Sequence, residues 1–172
     1  MTKRWCVFAA LPLAVACTAE RPPPQPVFAE VPRSSPLHFS YELADGKGAL
    51  GSDRLRGRPA VLVFVTTYDI ASQAQVRFLS GVVRRLADRI HAAAVVLEPP
   101  YNRPIVIAFR DALRLDYPVA MGDAPLIAGE GPFGDVHTVP STVVLDSEGR
   151  LVRRRVGLLT NEEEIENMIR GL

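Results

Sequence analysis

Few side chains in this sequence are suited to covalent or metal chemistry. Cysteine occurs twice, as Cys6 and Cys17, both close to the N-terminus. The body of the chain therefore has no thiolate to attack a disulfide, no second thiol to resolve one, and no Cys ligand for zinc. His38, His91 and His137 are scattered, without the spacing of a metal site. Gly129-Glu130-Gly131-Pro132-Phe133-Gly134 matches G-x-G-x-x-G. A dinucleotide site needs a strand before such a run and a helix after it. Pro132 interrupts the run, which reads as a flexible loop. No Gly-x-Ser-x-Gly elbow and no His-Glu-x-x-His occurs. Arg153, Arg154 and Arg155 alternate across a strand, so they form no single basic patch and read as a solvated edge.

The 172 residues suit one domain, and 48% hydrophobic content is enough to bury a core. A formal net charge of +1 leaves no electrostatic footprint for nucleic acid, and none is expected as a partner. Residues 1–16 read as a secretory signal peptide: Lys3 and Arg4 make the basic region, and Trp5 to Ala16 is apolar but too short to span a bilayer. Leu13-Ala14-Val15-Ala16-Cys17 resembles a bacterial lipobox, which makes Cys17 the lipidated first residue of the mature chain. Ala14-Val15-Ala16 also fits ordinary A-x-A cleavage. Residues 17–36 read as that lipidated Cys17 and a Pro-rich tether, with Pro22, Pro23, Pro24, Pro26, Pro32 and Pro36 favouring an extended spacer.

Residues 37–172 carry the folded domain. His38 to Leu43 reads as a strand and Asp45-Gly46-Lys47-Gly48 as a turn. Ala60-Val61-Leu62-Val63-Phe64-Val65 is a continuous apolar run, expected of a strand buried on both faces. Val76, Leu79, Val82, Val83, Leu86 and Ile90 follow at helical spacing. Ala92 to Leu97 is a second buried strand, so the unit implies a parallel crossover. Pro104 opens a helix with Ile105, Ala108, Phe109, Ala112 and Leu113 on its apolar face. Tyr117 to Met121 and Ser141 to Leu145 read as strands. Asp146-Ser147-Glu148-Gly149 turns the chain into a returning strand, Leu151 to Val156. Thr160 and Glu163 make a capping box for a last helix that faces Ile165, Met168, Ile169 and Leu172 inward. The order predicts an α/β domain with a mixed central sheet flanked by helices.

Two segments resemble a known family. Asp45-Gly46-Lys47, Leu55-Arg56-Gly57-Arg58-Pro59 running into the first buried strand, and Thr67-Tyr68 resemble the redoxin domain of TlpA-type membrane-tethered thioredoxins. Val139-Pro140-Ser141-Thr142-Val143-Val144-Leu145-Asp146 with Gly149-Arg150 and Gly157 supplies the second match. The resemblance implies a thioredoxin-like fold, a cis peptide at Val139–Pro140, and thiol–disulfide exchange by a Cys-x-x-Cys placed directly after the Thr-aromatic pair. This sequence has Asp69-Ile70-Ala71-Ser72 there. Aspartate cannot attack a disulfide and serine cannot resolve one.

Asp69 is expected to cap the helix that follows, where free amides and the helix dipole favour an anion. The expected function is a redox-inactive, membrane-tethered protein of the bacterial envelope, facing the periplasm. It would bind a protein or peptide through Tyr68, Asp69, Ile70, Ala71, Ser72, Val139 and Pro140, with no cofactor and no metal. One alternative is a thiol–disulfide oxidoreductase by ancestry. Another is a weak metal binder built on Asp69 and His137.

Overall fold

The computed structural model describes residues 28–32, 35–134 and 136–172. The expected signal peptide, Cys17 and the tether as far as residue 27 lie outside the described residues. No helix among the described residues is long and apolar enough to cross a membrane.

The apolar run becomes β4, Ala60–Val65, and all six of its residues are buried. Burial of a large aliphatic or aromatic side chain contributes roughly 1.5–3 kcal/mol, so this strand is the centre of the core. It pairs in parallel with β5, His91–Val96, which pairs in parallel with β6, Val119–Met121. On its other side β7, Ser141–Leu145, runs antiparallel and is followed by β8, Leu151–Val156, also antiparallel. The β7–β8 turn needs Gly149 at φ 81°, a backbone region that costs a residue with a Cβ. Earlier in the chain, β1 is Ala29–Glu30, β2 is Ser40–Glu42 and β3 is Ala49–Gly51. The sheet order is β1-β8-β7-β4-β5-β6, with β2 and β3 forming a separate hairpin.

Alternation along β4 sorts its side chains onto two faces. Val61, Val63 and Val65 face α1 (Ile70–Leu86), α2 (Arg103–Leu113) and α4 (Glu162–Ile169), meeting Leu79, Phe109 and Ile165 among others. Ala60, Leu62 and Phe64 face the hairpin, a 3-10 turn at Ser52–Leu55, and α3, Ala124–Ile127. An aromatic cluster of Phe39, Tyr41, Phe64 and Phe133 fills that second face. Phe133 is wholly buried, so the Gly-rich run is pinned at one residue rather than free along its length.

Several expectations are corrected in detail. The inward face of α2 is Val106 and Phe109, with Leu113 partly covered, while Ile105, Ala108 and Ala112 are exposed. The cap of α4 is Asn161, whose side chain accepts from the Glu164 amide, and Glu164 in turn accepts from the Thr160 amide and hydroxyl. Leu172 is exposed, and Ile90 lies past the end of α1. The strand β8 is not an edge, because β1 covers it. Arg153 reaches the Met168 and Arg170 carbonyls on one face and lies over the Phe28 ring, while Arg154 reaches the Phe133 carbonyl. These arginines therefore clamp neighbouring segments. The tether region contributes β1 at its C-terminal end, held further by the Val31 amide donating to the Val152 carbonyl at 2.9 Å. Helices α1 and α4 pack side by side. A Cβ at Gly81 would run into the Glu162 carboxylate, which Arg85 holds between the two helices together with Glu166.

Candidate functional site

At the end of β4 the chain runs through Thr66, Thr67, Tyr68 and Asp69 into α1. Asp69 has extended backbone and caps the helix: its carboxylate accepts from the Ser72 amide at 2.7 Å and the Ala71 amide at 3.4 Å. Burial is the largest single influence on this carboxyl and pulls its pKa up. The Ser72 hydroxyl and the Ser72 and Ala71 amides together outweigh it, so the group sits below the usual carboxylate range. Asp69 is thus ionised at neutral pH and is not a proton donor. Ser72 is fully buried, and its hydroxyl accepts from the Thr66 amide at 3.3 Å. The two degenerate-motif residues therefore work on the local backbone.

A second acidic residue completes the arrangement. Glu98 follows β5, and the Val65–Val96 register sets it beside the end of β4. It is only 2% exposed. Its carboxylate accepts from the Thr67 amide and hydroxyl, at 2.5 and 2.7 Å, and from the Asn102 side-chain amide at 2.8 Å. Gln73 closes the loop from the helix side by donating to the Thr67 carbonyl at 3.1 Å. Both backbone polar groups of Thr67 and the amide of Thr66 are thus committed within the protein.

What this tied-down loop presents outward is apolar. Tyr68 is 78% exposed and Ile70 is 81% exposed. Tyr101, at 81%, and Ile105 are exposed on the turn and helix that follow Glu98. The Val139–Pro140 peptide is cis, as the sequence resemblance implies. Ser141 pairs with Phe64, so Pro140 lies alongside the same end of β4. Pro140 is buried and its carbonyl accepts from the Gly157 amide at 2.8 Å; Val139 is half-buried. Of the seven residues expected to form the surface, Tyr68 and Ile70 project, Asp69 and Ala71 shape the helix start, Val139 is half-buried, and Ser72 and Pro140 support from within. The sequence reading missed Glu98, Gln73 and Tyr101, and set Ile105 on the inward face of its helix rather than on this surface. A carboxylate ending an apolar run directly before Pro99-Pro100 was the available signal for Glu98, since a buried charge must find partners.

His137 is exposed, and its ring lies against Gly129, where an added Cβ would stand 3.0 Å from Nδ1. Among the described residues no group of three or more His, Cys, Asp or Glu side chains is placed to hold a metal ion. The arrangement at Asp69 can orient a backbone and recognise an apolar surface; it offers no nucleophile for disulfide exchange.

No family model matches the chain, and no curated protein matches it. Solved structures do. A secreted thiol-disulfide isomerase from Corynebacterium glutamicum superposes with a TM-score of 0.72 at 14% identity, covering 87% of this chain and 93% of that one. A secreted Mycobacterium tuberculosis disulfide oxidoreductase homologous to E. coli DsbE gives 0.63 at 18% identity, covering 78% and 96%. An exposed lipoprotein thioredoxin from Streptococcus pneumoniae gives 0.66 at 18% identity, covering 79% and 100%. With its mixed six-stranded sheet, flanking helices and cis-proline beside a helix N-terminus, the described domain has the thioredoxin-like fold.

Proposed function

We propose that this chain is a redox-inactive thioredoxin-fold protein that binds a protein or peptide partner in the bacterial cell envelope, tethered to a membrane through lipid on Cys17. The observation that carries the reading is the loop from Thr66 to Ile70. The Thr66 and Thr67 amides, the Thr67 hydroxyl and carbonyl and the Asp69 carboxylate are bound internally while Tyr68 and Ile70 stand in water. Rigid aromatic and aliphatic groups held in place lose little entropy when a partner covers them, which is what recognition surfaces exploit. Tyr101 and Ile105 extend the surface across the neighbouring strand end.

Two further observations support the envelope setting. Structural neighbours are described as secreted proteins and, in one case, as an exposed lipoprotein. In addition, β1 is antiparallel to β8, which runs parallel to β4 through β7. The chain therefore enters β1 from the end of the sheet that carries Asp69, three strands from β4.

The test uses the full chain with Tyr68 and Ile70 both replaced by serine. A partner that co-purifies with the native chain should be lost from this variant and kept by Arg77→Ala, which alters an exposed residue of α1. Retention by the double variant overturns the surface assignment. The competing reading, an active oxidoreductase, is favoured by the names of the structural neighbours and is tested by insulin reduction. We expect none from the native chain, and turnover there would refute the redox-inactive reading. Asp69→Cys with Ser72→Cys should give a dithiol able to close, since the residues stand one helical turn apart. The thiol at 69 should have a lowered pKa at the helix terminus.

A further inference from the structure

A second site lies at the opposite end of the sheet, where β4 and β5 begin. A cavity of about 350 Å³ opens there, between the end of α1, the Ser52–Leu55 turn and the segment before β6. That volume falls at the lower end of the ~300–1,000 Å³ typical of small-ligand sites. Its walls are mainly apolar, from Leu50, Leu55, Val83, Ile90, Tyr117 and Pro118. Arg54 and Arg58 line the same cavity, and neither guanidinium makes a hydrogen bond or ion pair with a described residue. Arg58 is half-buried. The other arginine of this turn, Arg56, is engaged by Asp53 at 3.4 Å. His91 lines the cavity with one ring nitrogen 3.3 Å from the Arg56 carbonyl, and Asp116 is the one acidic residue of the wall.

Two uncommitted guanidiniums against one carboxylate leave the polar rim cationic above an apolar floor. We infer that this cavity binds a small amphipathic organic monoanion, its carboxylate paired with Arg58 and its apolar tail lying against Leu50, Leu55 and Ile90. A guanidinium fork matches a carboxylate geometrically and stays charged at any accessible pH. A half-buried guanidinium without a partner gains more from such a ligand than a fully solvated one. The six residues of β4 separate this cavity from Asp69 by roughly 20 Å at ~3.3 Å per residue. Occupancy therefore leaves the Tyr68–Ile70 surface open, and the inference stands apart from the proposed function.

The experiment titrates octanoate into the full chain and follows amide chemical shifts by NMR. Octanol supplies the same tail without charge, and acetate supplies the charge without a tail. Saturable shifts at Val83, Ile90 and Ala92 are expected with octanoate, at least about tenfold weaker binding with octanol, and none with acetate. Tenfold is what losing one charged hydrogen bond is worth. Arg58→Gln should weaken octanoate by a similar factor and leave octanol unchanged; Tyr68→Ser with Ile70→Ser should leave octanoate binding unchanged. Equal binding of octanol and octanoate, an undiminished Arg58→Gln variant, shifts centred on Tyr68 and Tyr101, or no saturable shift would each overturn the assignment.

Discussion

Two loops meet the same end of the central sheet and are built in opposite ways. The Thr66–Ile70 loop is anchored by polar groups: Glu98, Asp69, Ser72 and Gln73 hold it, and Tyr68 and Ile70 are left outside. The Gly129–Thr138 loop is anchored by an apolar one: Phe133 is buried among Phe39, Tyr41 and Phe64, and His137 and Thr138 are left outside. Every loop must commit something to the protein in order to be fixed. The first loop, held mainly through hydrogen bonds, exposes the hydrophobic side chains of Tyr68 and Ile70, whereas the second, held mainly through a buried ring, exposes His137 and Thr138. The contrast is what the proposed recognition role of the first loop rests on.

Phe133→Ala should cost about 3–5 kcal/mol, as large aromatic truncations in cores do, read as a shift in denaturant midpoint. The cost should leave amide exchange of Thr67 governed by the same global unfolding as the rest of the core. Glu98→Ala should cost less in global stability, about 2–3 kcal/mol, because it strands the Thr67 amide without its acceptor. Its distinguishing signature is local: hydrogen exchange at Thr67 should accelerate more than exchange in β7. If Phe133→Ala instead loosens Thr67 first, the two loops are not independently anchored.

Asp69→Ala should cost about 1 kcal/mol at neutral pH, the usual value of an N-cap. The folded pKa of Asp69 is depressed, so its stabilisation is fully present above the unfolded value of ~3.9. It is lost as pH falls through the lower folded value. The gap between native and Asp69→Ala stability should therefore close in acid, measured by urea unfolding from pH 7 downward. Asp69→Asn should retain most of the cap at pH 7. The smallest effect is the most telling: Tyr68→Ser should change stability by no more than about 0.5 kcal/mol, yet weaken partner binding. A large stability loss would mean that Tyr68 serves packing rather than recognition.

The sheet was legible because β4 and β5 are nearly unbroken apolar runs, as strands covered on both faces are, and because β7 is short and rich in β-branched residues. The cap at Asp69 was legible because cap and helix are contiguous. The face of α2 was misread because Ile105, Val106 and Ile107 are consecutive, so two phases fit the same apolar residues; tertiary packing selects Val106. The α4 cap slipped by one residue because Thr160 and Asn161 can both cap, and both take part. Elements of three or four residues, such as β3 and α3, are too short to show a period. Glu98 escaped for a different reason: its main partner, Thr67, stands 31 residues away, and the crossover that pairs the two strands does not show which polar groups past their ends will meet.

The two-residue strand β1 has a consequence for how copies of this domain meet. Without it, the six residues of β8 would offer an open row of amides and carbonyls, a template on which another chain could add a strand. With it, the outermost strand on that side is Ala29–Glu30, and Glu30 pairs with Arg153 at 3.7 Å. The opposite margin is the three-residue β6, bridged at Ala120 by Leu43. Both margins of the sheet are thus too short to seed intermolecular strand pairing. The segment leading into the domain thereby guards it against aggregation, and deleting residues 28–32 should increase self-association in concentrated solution.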